Sequence, residues 1–210
     1  MPRVRNQRPT NVDYYRRNRE QEIFRVRARQ AGTTEMLREW RQVPCADCGG
    51  RFEPHQMDFD HRDPSTKLFT LMTGRAQLMS TGRLRNEAAK CDVVCANCHA
   101  VRTQRRWQQR RPVGASKYLE RKRRNWRWHA RVLLVLRAVP CQDCQRTYSP
   151  YSMEFDHRDP AEKSQGVTRM VGRASLRRIM EEVAKCDVVC ANCHRMRTFR
   201  RRAGALTERE

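Results

Sequence analysis

The chain has 210 residues, with 45 lysines and arginines against 23 acidic residues and a net charge of +22. A surplus of this size attracts polyanions, so nucleic acid is the expected partner ahead of anionic membranes and acidic proteins. Hydrophobic residues make up 38% and the longest apolar run, Val132–Leu136, is five residues, which excludes a transmembrane helix of ~20 residues.

Residues 1–43 read as a basic N-terminal helical arm. Met1–Arg8 is basic with no apolar core behind it, so no secretory signal is expected and the chain is placed in a reducing cytoplasm. Gly32 is expected to close a first helix, and Leu37 and Trp40 to line a second one that stops before Pro44.

Residues 44–112 read as a first small domain, opened by Cys45-x2-Cys48. Arg51–His61 (RFEPHQMDFDH) has two apolar-aromatic pieces around a proline turn, the pattern of a hairpin. In its second strand Met57 and Phe59 face one way and Asp58 and Asp60 the other. Asp60 and His61 then stand at the strand's exit, and His55 is expected at the surface. Asp63 reads as a loop cap ahead of Pro64. Residues 74–91 carry helix formers with Leu84 and Ala88 on one face. Cys91 is read as packed in an apolar spot. Cys95-x2-Cys98 begins a short helix that carries His99 and Arg102.

Residues 113–139 read as a basic linker helix. From Arg102 to Arg131 there are 12 basic residues and one acid, Glu120, with Trp107, Trp126 and Trp128 interleaved. Leu119, Trp126, Ala130 and Leu133 form a helical stripe that packs on the second domain while the arginines face outward. The tryptophans are read as core rather than as base-stacking platforms. Leu133 and Leu136 precede Pro140 as Leu37 and Trp40 precede Pro44.

Residues 140–202 repeat the first domain, and 203–210 form a C-terminal tail. Pro140–Pro160 matches Pro44–Pro64 at 12 of 21 positions, and Val183–Thr198 matches Ala88–Thr103 at 13 of 16. The period is too long for a solenoid, whose units run ~20–50 residues, so each copy is a domain and the chain is expected to act as a monomer. Asp159 and Cys186 repeat the expected roles of Asp63 and Cys91. The ten cysteines divide equally. Cys45, Cys48, Cys95 and Cys98, and again Cys141, Cys144, Cys190 and Cys193, supply four thiolates each, a set that suits a structural Zn²⁺. The pairs are separated by 46 residues in the first copy and 45 in the second, where a zinc ribbon has roughly 15–20. Something with its own task lies between the ligands.

A D-H at a strand's exit, Asp60-His61 or Asp156-His157, followed by C-x2-C-H on a helix, resembles the HNH nuclease family. The flanking C-x2-C pairs and the DHxxP-like loop resemble the small HNH endonucleases common in phages and bacteria. The resemblance covers residues 44–103 and 140–198. It implies an α+β fold: two tandem ββα-metal, treble-clef-like, zinc-stapled domains joined by a basic helical linker. It also implies metal-dependent hydrolysis of DNA phosphodiester bonds with no small-molecule cofactor. His61 and His157 would be the general bases. Asp60 with His99, and Asp156 with His194, would each hold one catalytic divalent ion, Mg²⁺ or another. The family's middle Asn falls near Lys90 and Lys185, while Asn97 and Asn192 lie inside the C-x2-C loops.

Phosphodiester cleavage asks for these residue types on its own account. An imidazole with a pKa near ~6.5 accepts a proton from water at neutral pH, and a carboxylate with a second imidazole holds a divalent ion while leaving positions for phosphate and water. Arg102, Arg105, Arg106, Arg123, Arg124, Arg127, Arg197, Arg200 and Arg201 are expected to grip the backbone of double-stranded DNA, which supplies affinity without reading sequence. A non-catalytic zinc module that binds nucleic acid, as a regulator or packaging accessory, would need the thiolates and arginines but not His61 or His157.

Overall fold

The computed structural model describes residues 11–109 and 117–207. The start of the expected arm, the join at 110–116 and the end of the tail lie outside the described residues, as does the side chain of Leu119. In chain order the elements are α1 (Asn11–Glu39), β1 (Met57–His61), α2 (Leu71–Ala76), α3 (Thr81–Ala88), β2 (Cys91–Cys95), α4 (Ala96–Gln109), α5 (Lys117–Leu136), β3 (Met153–His157), α6 (Val167–Met170), α7 (Leu176–Val183), β4 (Cys186–Cys190) and α8 (Ala191–Thr207). Helices with two two-stranded sheets, β1–β2 and β3–β4, make this an α+β chain. No described helix is long and apolar enough to cross a membrane. Contacts divide the chain into two units, Met1–Gln42 with His61–Asp92 and Val43–Asp60 with Val93–Glu210, so the division cuts through the first repeat.

In the first unit, α1 packs on α2 and α2 on α3. The break expected at Gly32 is absent, because α1 runs straight through it. The hydroxyls of Thr33 and Thr34 bond to the carbonyls of Arg29 and Gln30 one turn back, so both polar side chains are satisfied within the helix. The non-helical residue is Asn18, whose amide donates to the carbonyl of Tyr14. Leu37 and Leu84 are fully buried. The single helix expected over 74–91 is instead two, each started by a hydroxyl that accepts a backbone N–H, Thr70 from Thr73 and Ser80 from Arg83. Gly74 permits their close approach, since a Cβ there would lie 2.7 Å from the Phe69 ring and 2.8 Å from Leu84.

The second unit contains the whole second repeat. Here β3 and β4 run antiparallel, with Phe155 opposite Val188, Asp156 opposite Asp187 and His157 opposite Cys186. The expected hairpin does not form. The carbonyl of Arg146 accepts the Cys141 amide, so the first apolar piece closes the cysteine knuckle, and Pro150–Ser152 makes one 3-10 turn that leads straight into β3. The β-branched CDVVC segment becomes the partner strand, and β1 and β2 repeat the arrangement. Cys91 and Cys186 therefore lie on strands, not at helix ends.

Leu133 of α5 is buried with Val167, Met170, Val171 and Ile179, and Phe155 and Val183 pack against that cluster. The three tryptophans are not core: Trp107, Trp126 and Trp128 are 61%, 45% and 58% exposed. Trp126 lies on the surface at Gly172, whose left-handed backbone (φ +73°) a side chain would strain and whose Cβ would sit 3.1 Å from the indole. Two smaller cores surround the cysteines, Met57 and Val94 with Cys45 and Cys95, and Met153 and Val189 with Cys141 and Cys190.

The repeats also meet inside this unit. The start of α4 packs on the turn Pro150–Ser152, and α8 packs on the turn Pro54–Gln56. Asn97 N–H donates to Asn192 Oδ1 at 3.3 Å and Asn192 N–H to Asn97 Oδ1 at 3.1 Å. Gln56 donates to the Asn192 carbonyl. His55 is half-buried rather than at the surface, stacked on Phe199 with centroids 4.3 Å apart.

Candidate metal and catalytic site

Each repeat brings four sulfurs together. The Sγ atoms of Cys45, Cys48, Cys95 and Cys98 all lie within 4.8 Å of one another, and so do those of Cys141, Cys144, Cys190 and Cys193. Tetrahedral Zn²⁺ with bonds of about 2.3 Å asks for this spacing, so both sets fit one ion. Burial pushes the Cys45 thiol up, but the backbone amides of Cys48, Cys95 and Asp47 outweigh it and lower it to about 7. Cys141 is lowered to about 7 against burial by Cys144, Cys190 and Asp143. An ion here staples the C-terminal end of β2 or β4, and the start of the following helix, to the first knuckle. Cys91 and Cys186 are outside both sets, as expected.

Between the second repeat's ligand pairs lies a cleft of about 510 Å³, lined among others by Arg137, Asp156, His157, Lys163, His194 and Arg201. β3 supplies Glu154, Asp156 and His157 in one run, and the first turn of α8 supplies His194. His194 Nδ1 is hydrogen-bonded to Glu154, and its Nε2 lies 3.3 Å from Asp156 Oδ1. Those two hydrogen bonds, Asp156 first and Glu154 second, outweigh burial and raise His194 to about 9. The pair therefore favours positive charge at Nε2. A carboxylate on Nδ1 also fixes the ring so that Nε2 faces Asp156, and 3.3 Å suits neighbouring donors on one ion with bonds of about 2.1 Å.

His157 is 5% exposed, and its Nε2 meets Glu182 Oε1 at 2.8 Å. Glu182 is itself buried and accepts from the Ser164 amide and hydroxyl, the Gln165 amide and Lys185. Burial raises its carboxyl, but Ser164, Lys185 and His157 outweigh that and hold it far below the usual range.

The first repeat carries the same parts. In the second unit, His99 Nδ1 is 2.8 Å from Asp58 Oδ2 and Nε2 is 3.6 Å from Asp60 Oδ1. Burial raises Asp58, but hydrogen bonds from His99 and Arg195 bring it to about 2. In the first unit, His61 Nε2 meets Glu87 Oε1 at 2.9 Å. Glu87 also accepts from Lys90 Nζ at 2.7 Å and the Leu68 amide at 2.8 Å.

Comparisons with family models, curated proteins and solved structures find no match to this chain. Its own chemistry carries the reading of the site.

Four arginines expected on the phosphate backbone are bound to carboxylates instead. Arg106 holds both oxygens of Asp60 at 2.7 and 2.9 Å, and Arg102 spans Asp60 and Asp47. Arg201 holds both oxygens of Asp156 at 2.9 and 2.8 Å, and Arg197 spans Asp156, Asp143 and Asp187. The cause is helical spacing: three and seven residues after His99 or His194, the side chain returns to the face that meets the strand. Arg105, Arg123, Arg124, Arg127 and Arg200 are exposed. Asp63 and Asp159 cap their loops as expected, accepting the amides of Ser65 and Ala161. Glu87 and Glu182 were not foreseen, although each stands four residues before Cys91 or Cys186. Asp58 was foreseen only as facing the same way as Asp60, and Glu154 was not foreseen.

Proposed function

We propose that this chain is a metal-dependent endonuclease that hydrolyses DNA phosphodiester bonds. The observation that carries this is the second repeat's cleft, which His157, the Asp156–His194 pair and the cations Arg137, Lys163 and Arg201 line together. Asp156 Oδ1 and His194 Nε2 would hold a divalent ion, which when bound supplies Lewis-acid stabilisation of the phosphate and the leaving oxygen. Glu182 occupies His157 Nε2 and orients the ring, so proton exchange with the attacking water falls to Nδ1. Lys163 and Arg137 draw the scissile phosphate into the cleft, and the exposed arginines hold the flanking backbone. The recurrence of Asp60, His61 and His99 in the sequence of the first repeat supports two sites acting as a covalent pseudo-dimer on the two strands of a duplex.

A non-catalytic nucleic-acid-binding zinc module is favoured by one observation: Arg197 and Arg201 already engage both oxygens of Asp156. Plasmid cleavage with Mg²⁺, Mn²⁺ or Ni²⁺ separates the readings. Wild type cuts supercoiled plasmid, and His61→Ala combined with His157→Ala does not. Equal band patterns from wild type and the double variant overturn the catalytic role. Single nicks under every metal overturn the paired cut alone.

A further inference from the structure

Within the second unit, the second repeat reaches into the ligand set of the first. We propose that Arg195 is a positioning residue for His99, acting through Asp58, so that the first repeat's metal pair depends on the second repeat without a matching dependence in reverse. The inference rests on the reading above, in which Asp60 and His99 hold a divalent ion.

Arg195 sits in the first turns of α8, one residue past His194. Its Nη2 donates to Asp58 Oδ2 at 2.5 Å, and the same oxygen takes His99 Nδ1 at 2.8 Å. One carboxylate oxygen thus joins a guanidinium from one repeat to an imidazole of the other. The contact is shielded, with side-chain exposures of 34% for Arg195 and 24% for Asp58. Asp58 is short, and two hydrogen bonds on one oxygen fix its rotamer. His99 in turn keeps Nε2, rather than a ring carbon, toward Asp60. Removing the guanidinium leaves the carboxylate free to rotate, and the imidazole loses the group that sets its plane.

The counterpart of Arg195 in the first repeat is Ala100, which has no donor to offer Glu154. Glu154 instead lies in the field of Arg137 and Arg195, both from its own half of the chain. His194 is therefore oriented from within its own repeat and His99 from outside it. The delivery of Arg195 is built in, since the paired Asn97 and Asn192 and the Gln56 bond to the Asn192 carbonyl fix where α8 begins.

The test uses the full-length zinc-loaded chain in two backgrounds, His194→Ala to leave the first pair and His99→Ala to leave the second. Mn²⁺ binding is followed by electron paramagnetic resonance, and imidazole ¹⁵N spectra report the ring state of His99 without added Mn²⁺. Arg195→Ala is expected to weaken Mn²⁺ binding about 10-fold or more in the His194→Ala background and by much less in the His99→Ala background, where Arg195 reaches Glu154 only through its field. It also shifts the Nδ1 and Nε2 signals of His99, and Arg195→Lys restores part of both effects. Unchanged His99 ring signals in Arg195→Ala, or equal weakening of Mn²⁺ in both backgrounds, overturn the brace. A chain that binds Mn²⁺ in neither background, yet shows the His99 shift with zinc content intact, sinks the endonuclease reading and keeps the brace.

Discussion

Asn97 and Asn192 exchange the same bond, each side-chain oxygen accepting the other's backbone amide at the start of α4 and α8. Both residues are buried, 6% and 4% exposed, and the Asn97 side chain also bonds to the Cys190 thiol. Replacing either by alanine leaves a buried N–H without its acceptor, at a cost of about 1–3 kcal/mol. Urea unfolding is expected to show this loss for each single variant. Each change removes a different one of the two bonds, and the double variant is expected to cost less than the sum because either loss loosens the packing that aligns the other. Additive losses would separate the two bonds.

Glu182 holds His157 Nε2 while satisfying the loop before α6. Glu182→Gln keeps the shape but weakens the contacts to Lys185 and His157. Cleavage by the second repeat, measured in a His61→Ala background, is expected to fall about 10- to 100-fold, with stability lowered by about 1–3 kcal/mol. Full activity in Glu182→Gln would confine this residue to folding.

Stability should have two pH limbs. Burial raises Glu87, but Lys90, the Leu68 amide and His61 bring it from 4.5 to about 2. Its folded pKa lies below the unfolded one, so its contribution is present above about pH 4.5 and is lost as pH falls toward 2. His194 is raised from 6.5 to about 9, so its contribution is complete below pH 6.5 and is lost as pH rises through 9. Urea midpoints measured across pH should lose their acid slope in Glu87→Gln and their alkaline slope in His194→Gln. Slopes that persist in these variants would assign them to other groups.

Zinc content is expected to be two ions per chain, one for each sulfur set. Cys45→Ser removes one ion and Cys141→Ser the other, each with loss of the structure it staples. Cys91→Ser and Cys186→Ser retain both ions. Chelator-release titration with a colorimetric indicator reads all four variants, and a third ion lost with Cys91 would refute the assignment.

The knuckle turns differ by one residue that matters. Gly49 and its counterpart Gln145 both adopt left-handed backbone, at φ 67° and 56°. Side chains other than glycine are strained there by roughly 1 kcal/mol. Gly49→Ala is expected to destabilise and Gln145→Gly to stabilise by about that amount in thermal unfolding, with zinc content unchanged.

What could be read from the residues was whatever the duplication printed twice. The cysteine sets, the Asp-His and Cys-His pairs and the loop caps recur in both copies, and the folded chain gathers each sulfur set and lines one cleft of the second repeat with Asp156, His157 and His194. The hairpin was misread because strand pairing is set by distant partners. Cys91–Cys95 contains a metal ligand and reads as part of the knuckle, yet its β-branched residues make it the strand beside β1. Glu87 and Glu182 were invisible because an acid on an amphipathic helix ordinarily faces water; only the loop amides and the histidine turned toward it reveal its burial. The arginines were credited to an outside partner because charge counts do not register carboxylates across a fold. Of the described residues in the stripe that held Trp126 and Leu133, only Leu133 is buried, and Trp107, Trp126 and Trp128 stay at the surface.

Paired asparagines that return each other's bond are what a twofold axis between identical subunits produces. A fragment carrying a single repeat would bear half of a self-matching patch and be inclined to form homodimers. Joining two such halves on one polypeptide makes that encounter independent of concentration. It also frees each half to diverge, as Arg195 opposite Ala100 already shows.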